Sequence, residues 1–345
     1  MQNSDKSLLP DNDPTASARK KDHIELALKS QISQIDSRFF YEPLLSAHPN
    51  SADWGGLAFL GKQLKNPMWV SSMTGGTQMA GKINGNLARA CREFGMGMGL
   101  GSCRSLLYSD DTLPDFDVRK HIGTENPLFA NLGIGQLEDL IVQNKLHLIN
   151  DLIAKLQADG LIIHVNPLQE WLQPEGDRFK YSPLETIMTV LEKTGLKIIV
   201  KEVGQGFGIE SLRALLQLEI EAVDFAAAGG TNFAKLELLR NQGIRKEVFQ
   251  AFAFVGHGAE DMVNMTNQLL EELGEKVKCR QVIISGGIKD FLDGYYLLQK
   301  LKMPAVYGQA SGFLTHAMGD YESLREYVSA QIQGLVMARA MLRVR

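Results

Sequence analysis

The sequence predicts an α/β protein built as a (β/α)8 barrel. Three observations lead there: eight short apolar or glycine-rich runs recur from residue 68 onward, amphipathic stretches separate them, and polar residues gather where the runs end. The runs are too short for helices and apolar enough to be buried on both faces, as strands of a parallel sheet are. Strand, helix and strand joined by short links require parallel pairing and right-handed crossovers. Eight such units favour a closed barrel, with an open doubly wound sheet as the alternative.

The first run, Met68 to Met73, leads into Ser71-Ser72-Met73-Thr74-Gly75-Gly76-Thr77. Small hydroxyls and glycines let backbone approach a flat ligand closely, although a tight turn reads the same way. The second, Met96 to Gly101, sets Gly95, Gly97, Gly99 and Gly101 on one face and Met96, Met98 and Leu100 on the other. Four glycines in register need a reason, either room for a planar body in the mouth or close packing of backbones. Ser102 and Arg104 follow; the arginine suits a phosphate, or pairs with an acid such as Asp110. The third run is Leu128 to Gly133. The fourth, Leu161 to Asn166, ends in His164-Val165-Asn166-Pro167-Leu168-Gln169-Glu170. A histidine, amides and a carboxylate at one strand end suit a phosphate with Mg²⁺: neutral donors for its oxygens and a hard oxygen ligand for the metal.

The helix before the fifth run is the best marked. Ser182 caps it, Pro183 opens it, Glu185 completes a capping box and Gly195 ends it. Its buried face is expected to hold Leu184, Ile187, Met188 and Leu191. The fifth run, Lys197 to Val203, carries Lys201 and Glu202 side by side, so each must be paired or functional. The last three, Ala222 to Ala227, Gln281 to Gly287 and Ala305 to Ala310, lead into Gly229-Gly230-Thr231-Asn232, Ser285-Gly286-Gly287 and Gly308-Gln309-Ala310-Ser311. Barrels commonly bind phosphate with the loops after strands seven and eight.

Composition narrows the function. Of 345 residues, 44% are hydrophobic and 22% charged, which excludes a disordered chain. Lys plus Arg total 36 against 40 Asp plus Glu, so a chain-wide nucleic-acid surface is not expected. Cys91, Cys103 and Cys279 are odd in number and form no CxxC, which argues against a disulfide framework or structural zinc and for a reducing compartment. With no apolar run of about 18 residues and no signal-like leader, a cytoplasmic protein off the membrane is expected. The chain divides into a polar tail expected to be mobile (1–18), a basic segment (19–66) and the barrel (67–345). The residues alone thus suggest an enzyme with a flat phosphorylated cofactor, for which FMN is the best fit, and an anionic substrate. No GxGxxG with an acidic ribose contact and no Walker loop occurs.

Seven motifs then appear in order: Arg19-Lys20-Lys21-Asp22-His23, Ser72-Met73-Thr74-Gly75-Gly76, Gly101-Ser102-Cys103-Arg104, the His164 to Glu170 segment, Lys201-Glu202-Val203-Gly204, Gly229-Gly230-Thr231 and Ser285-Gly286-Gly287-Ile288. Together they resemble type 2 isopentenyl-diphosphate isomerase, from about residue 19 to 315. The resemblance implies an FMN-dependent barrel that interconverts isopentenyl and dimethylallyl diphosphate in isoprenoid biosynthesis. It implies Mg²⁺, NADPH used only to keep the flavin reduced, and a homo-oligomer, tetramer or octamer. By motif, Arg19, Lys20 and His23 would hold the diphosphate from a segment covering the mouth, helped by Ser102 and Arg104. His164, Asn166 and Gln169 would line the reacting pocket and Glu170 would bind Mg²⁺. Ser72, Met73, Thr74, Ser102, Asn131, Lys201 and Thr231 would contact FMN, with Gly286, Gly287, Ala310 and Ser311 around its phosphate. The sequence departs from the family at Cys103, at Ala226-Ala227-Ala228, at Asn232, at Phe254 to Gly258 and at Ser311-Gly312. The competing readings are an FMN oxidoreductase of the 2-hydroxy-acid oxidase or dihydroorotate dehydrogenase type, for which His257 is the only candidate base, and a silent flavin-binding protein.

Overall fold

The computed structural model describes residues 16–49, 54–240 and 243–345. Up to residue 15 the expected tail lies outside the described residues; a helix, Ala16–Leu26, begins where the tail was expected to continue. The chain falls into two compact units, one running to Phe40 together with Arg345, the other Tyr41–Val344.

The second unit is a closed parallel barrel. Its strands are β1 (Met68–Val70), β2 (Gly97–Gly99), β3 (Leu128–Gly133), β4 (Gly160–His164), β5 (Ile198–Lys201), β6 (Ala222–Asp224), β7 (Val282–Ser285) and β8 (Ala305–Gln309). Each falls within, or one residue outside, its expected run, and β8 pairs with β1 to close the ring. The open-sheet alternative is thereby excluded. The helix Pro183–Thr194 has the Ser182–Glu185 capping box and a left-handed Gly195. Its buried face differs from expectation: Thr186, Ile187 and Val190 are buried, while Met188 is half exposed. The helix axis is rotated so that Val190, not Met188, follows Ile187 into the core.

The barrel interior is layered by the two-residue period of its strands. Trp69, Phe129, Ile162, Ile199, Ala222, Ile283 and Val306 form one apolar cluster with Phe59, Leu60 and Leu64. Those last three come from the hairpin Leu57–Phe59/Lys62–Leu64, so part of the segment expected to belong with the basic extension instead plugs the barrel. Trp69 packs edge-on against Phe59 and Phe129, with ring centroids 6.4 and 6.3 Å away. Gly97 makes room for that indole, because a Cβ there would overlap the Trp69 ring. Two residues further along each strand the chemistry reverses. Ser71, Gly99, Asn131, His164, Lys201, Asp224, Ser285 and Gly308 make a polar layer at the carboxyl ends of the strands.

The glycine face of the second run is a correction. It does not leave space for a planar ligand. Gly95 is the left-handed C-cap of the helix Gln78–Phe94 rather than a strand residue. A Cβ on Gly99 would overlap Ile162 and crowd Ser72, and one on Gly101 would overlap the Thr74 backbone. These glycines are filled by neighbouring strands, which is the close-packing reading of the pattern.

Candidate active site

The polar layer forms the floor of the mouth. His164 and Asn131 meet across β4 and β3, with His164 Nδ1 2.7 Å from Asn131 Oδ1. An amide oxygen only accepts, so Nδ1 carries the proton and Nε2 keeps its lone pair. A Cβ on Gly133 would press on the imidazole, so that glycine gives the ring its place. Burial, with the nearby Lys201 charge, lowers the His164 pKa to about 4, so the ring is neutral at pH 7.

The segment after β4 is tightly cross-linked. Asn166 Nδ2 donates to Gln169 Oε1 (3.1 Å) and Glu170 Oε1 (2.9 Å), while Asn166 Oδ1 is buried without a partner. Gln169 Nε2 donates to Glu237 Oε1 at 3.4 Å. Glu170 Oε2 accepts the Asp177 N–H at 2.7 Å. Pro167 opens the short helix Pro167–Leu172, which carries Gln169 and Glu170. Among the described residues no three His, Cys, Asp or Glu side chains gather into a metal site. Any cation at Glu170 would therefore share its coordination with substrate and water.

Lys201 and Glu202 part as expected of adjacent strand residues. Lys201 is buried and its Nζ donates to the Glu202 carbonyl at 2.6 Å. Glu202 turns to its own loop, where Oε2 accepts the N–H groups of Gly204, Gln205 and Gly206 at 2.6, 2.6 and 3.0 Å. Glu202 is thus structural, and burial pushes its pKa up against those three donors. At the end of β1, Thr74 bonds Asn84 (3.3 Å), Met73 is half-buried, and Ser72 Oγ is buried without a partner. Ser102 and Arg104 are exposed at the rim, and Arg104 faces Asp177 at 3.8 Å. Asp110 is taken by Lys155 instead. The Cys103 thiol is buried and pushed up to about 12, so it is no nucleophile.

On the far side, the turns after β6 and β7 abut. A Cβ on Gly229 would lie 3.1 Å from the Gly287 Cα, and Gly286 (φ +89°) lies against Ala227. Thr231 and Ser311 are exposed, and Ala310 is half-buried as the N-cap of Ser311–Ala317. In the first unit, Arg19, Lys20 and His23 are exposed on the helix Ala16–Leu26, with Arg19 and His23 one turn apart. His257 lies in a backbone bridge between Gln205 and Ala228, outside the polar layer.

Sequence reasoning missed two buried acids near the site. Asp224, fully buried at the end of β6, was open to the argument applied to Lys201, that a charge inside an apolar run must be accounted for. Glu237 sits on an outer helix, where a glutamate is expected to face water, and no sequence signal marked it.

No family profile matches the chain. Curated relatives do. The isopentenyl-diphosphate delta-isomerase of Rickettsia felis is 33% identical over 337 residues, covering 95% of this chain and 93% of that protein. That of Rickettsia prowazekii is 34% identical over 312 residues, covering 89% and 87%. The chain belongs to the isopentenyl-diphosphate delta-isomerase family. Among solved structures, the isomerase-family barrel seen here is similar to flavocytochrome b2 with sulfite bound (TM-score 0.59, 15% identity, 88% of this chain and 72% of that one). It is also similar to a mandelate oxidase mutant with the monooxide FMN adduct (TM-score 0.53, 14% identity, 89% and 88%). At these identities the likeness concerns the fold.

The neutral His164 has a thermodynamic consequence. Its folded pKa, about 4, lies below the value of 6.5 for an unperturbed histidine. Between those values the unfolded chain binds more protons, so stability falls as the pH drops through that window and is fully present above it. A histidine NMR titration of the folded protein is expected to show one imidazole that stays neutral to about pH 5. If every imidazole titrates near 6.5, this assignment is wrong.

Proposed function

We propose that the chain interconverts isopentenyl and dimethylallyl diphosphate, as a type 2 enzyme with reduced FMN in the barrel mouth, Mg²⁺ on the diphosphate and NADPH keeping the flavin reduced. It would do so in the cytoplasm as a homo-oligomer. The observation that carries the reading lies next to the polar floor: Ser72 Oγ and Asn166 Oδ1 are buried at the strand ends with no partner of their own. Buried polar atoms of that kind call for a partner, which a bound ligand or water supplies. Together with the buried Lys201 ammonium at the end of β5, they fit a flat cofactor rich in acceptors and donors.

Ser72, Met73, Thr74, Ser102, Asn131, Lys201 and Thr231 would hold the ring and its chain. Gly286, Gly287, Ala310 and Ser311 would offer backbone to its phosphate. Bound and reduced, FMN would supply a proton-exchanging ring nitrogen. The protein's own work is placement. Asn166 orients Gln169 and Glu170 through one amide, and Gln169, held at both ends, is set to relay or orient a proton at the alkene. Neutral His164, its Nδ1 proton engaged by Asn131, can accept a hydrogen bond at Nε2 without adding charge. Arg19, Lys20, His23, Ser102 and Arg104 would bind the diphosphate, and Glu170 its Mg²⁺.

The test is to incubate the purified chain with FMN, NADPH, Mg²⁺ and isopentenyl diphosphate. Dimethylallyl diphosphate should accumulate without stoichiometric loss of NADPH. Absence of product, or one NADPH consumed per turnover, rejects the reading. Removing residues 1–18 should leave activity intact, whereas removing 1–23 should raise KM about tenfold or more, through loss of charge-assisted contacts. An unchanged KM after the longer cut would refute the covering role.

A further inference from the structure

Asp224 has no part in the mechanism above, yet it is fully buried in the same floor. It follows Ala222 of the apolar cluster by two residues, so its side chain enters the polar layer. One oxygen, Oδ1, accepts the Ser285 hydroxyl, and that hydroxyl in turn accepts the Ala226 N–H at 2.9 Å. The other oxygen, Oδ2, is buried without a partner. Lys201 stands opposite Asp224 in the β5–β6 register. Burial pushes the Asp224 carboxyl up, and the attraction of Lys201 pulls it back. Glu202, the other nearby acid, is spent on its own turn. Around the pair, His164 faces it from β4, and the side chains from β3 and β7 are the uncharged Asn131 and Ser285. A buried carboxylate and a buried ammonium are each costly alone and compensate each other.

We propose that Asp224 is a positioning residue: its carboxylate, opposite Lys201 in the β5–β6 register without a direct hydrogen bond to it, balances the buried ammonium that the Glu202 carbonyl holds in the mouth. Ser285 clamps the carboxylate. For what the cation does in the mouth, this rests on the reading above; the first test does not need the cofactor.

Full-length wild-type, Asp224→Asn and Lys201→Met chains are melted without added flavin from about pH 5 to 9.5. Asp224→Asn strands the ammonium, whose folded pKa drops below that of the unfolded chain. Its deficit in Tm is then largest at acid pH and shrinks as the pH rises, by on the order of 5 °C across the range. Lys201→Met strands the carboxylate, whose folded pKa rises, and its deficit shrinks as the pH falls. Opposite slopes support the pair; parallel, flat deficits overturn it. If Asp224→Asn does not fold, the slope of Lys201→Met decides by the same sign.

A second readout uses FMN-loaded protein. Asp224→Asn should move the basic limb of the kcat profile down by at least about one pH unit, because the unpaired lysine loses its proton earlier. Adding Lys201→Arg to that variant should restore the limb, since arginine keeps its charge. A limb that stays put with FMN bound overturns the positioning role. Opposite melting slopes in a chain that takes up no FMN support the pair and sink the flavin reading.

Discussion

Replacing Gly286 by alanine is expected to be the most destructive single-methyl change in the mouth. Two costs coincide there. The residue sits at φ +89°, where an L side chain is strained, and the new Cβ would overlap the backbone N and O of Ala227. Backbone cannot swing aside as a flexible side chain does. Ala227 could yield only by giving up its N–H bond to the Ser285 carbonyl (2.8 Å), and the Ala226 N–H bond to Ser285 Oγ would go with it. Strain and overpacking together put the loss at about 3–5 kcal/mol, or roughly 4–7 °C in Tm. The damage falls on the paired turns proposed to cradle the cofactor phosphate, so FMN uptake should drop with stability. Gly195→Ala is the control. It sits at φ +63°, ψ +14° in the left-handed region with nothing within 4 Å of the added methyl, so it should cost only the backbone preference, about 1 kcal/mol. Equal melting of the two variants, with equal FMN uptake, would show that the close approach at Gly286 does not matter.

The eight strands are legible in the sequence because burial on both faces leaves an apolar run that no amphipathic helix imitates. The helix at Ser182 is legible because its cap, proline and terminal glycine are local chemistry. What depends on neighbours is not legible. The glycines at 97, 99 and 101 look like space in one dimension, but Trp69, Ile162 and the Thr74 backbone come from other strands and occupy it. Met188 and Val190 both suit a helical stripe, and only the helix's rotation on the sheet chooses between them.

The site divides in the same way. His164, Asn166, Gln169 and Glu170 stand close together in sequence, so their convergence can be read directly. Their partners cannot. Asn131 reaches His164 from 33 residues away, and Glu237 reaches Gln169 from 68. Asp224 is the instructive case between the two. Its burial follows from the run that contains it, whereas its opposition to Lys201 is a matter of register, which sequence leaves open.

Glu170→Gln should separate metal binding from cofactor binding. The carboxylate is fixed from two sides, by Asn166 Nδ2 at Oε1 and the Asp177 N–H at Oε2, while Arg178 holds the backbone by donating to the Glu170 main-chain carbonyl at 2.5 Å. Both carboxylate oxygens accept, so the amide of glutamine must turn its NH2 toward one of two donors. That mismatch costs about 1–2 kcal/mol and should leave the fold intact. The lost negative charge weighs more, because a diphosphate brought against the polar floor needs a hard cation to offset its own charge. The Mg²⁺ concentration for half-maximal turnover should rise about 10- to 100-fold. FMN affinity should hold, since Glu170 is not among the residues assigned to the ring or its phosphate. A magnesium titration alongside flavin fluorescence distinguishes the outcomes. Loss of FMN with unchanged magnesium dependence would move Glu170 out of the metal's coordination and into the cofactor's. A raised magnesium requirement with FMN in place would make the amide-linked trio Asn166, Gln169 and Glu170 one device, in which a single side chain aims both the proton relay and the metal ligand.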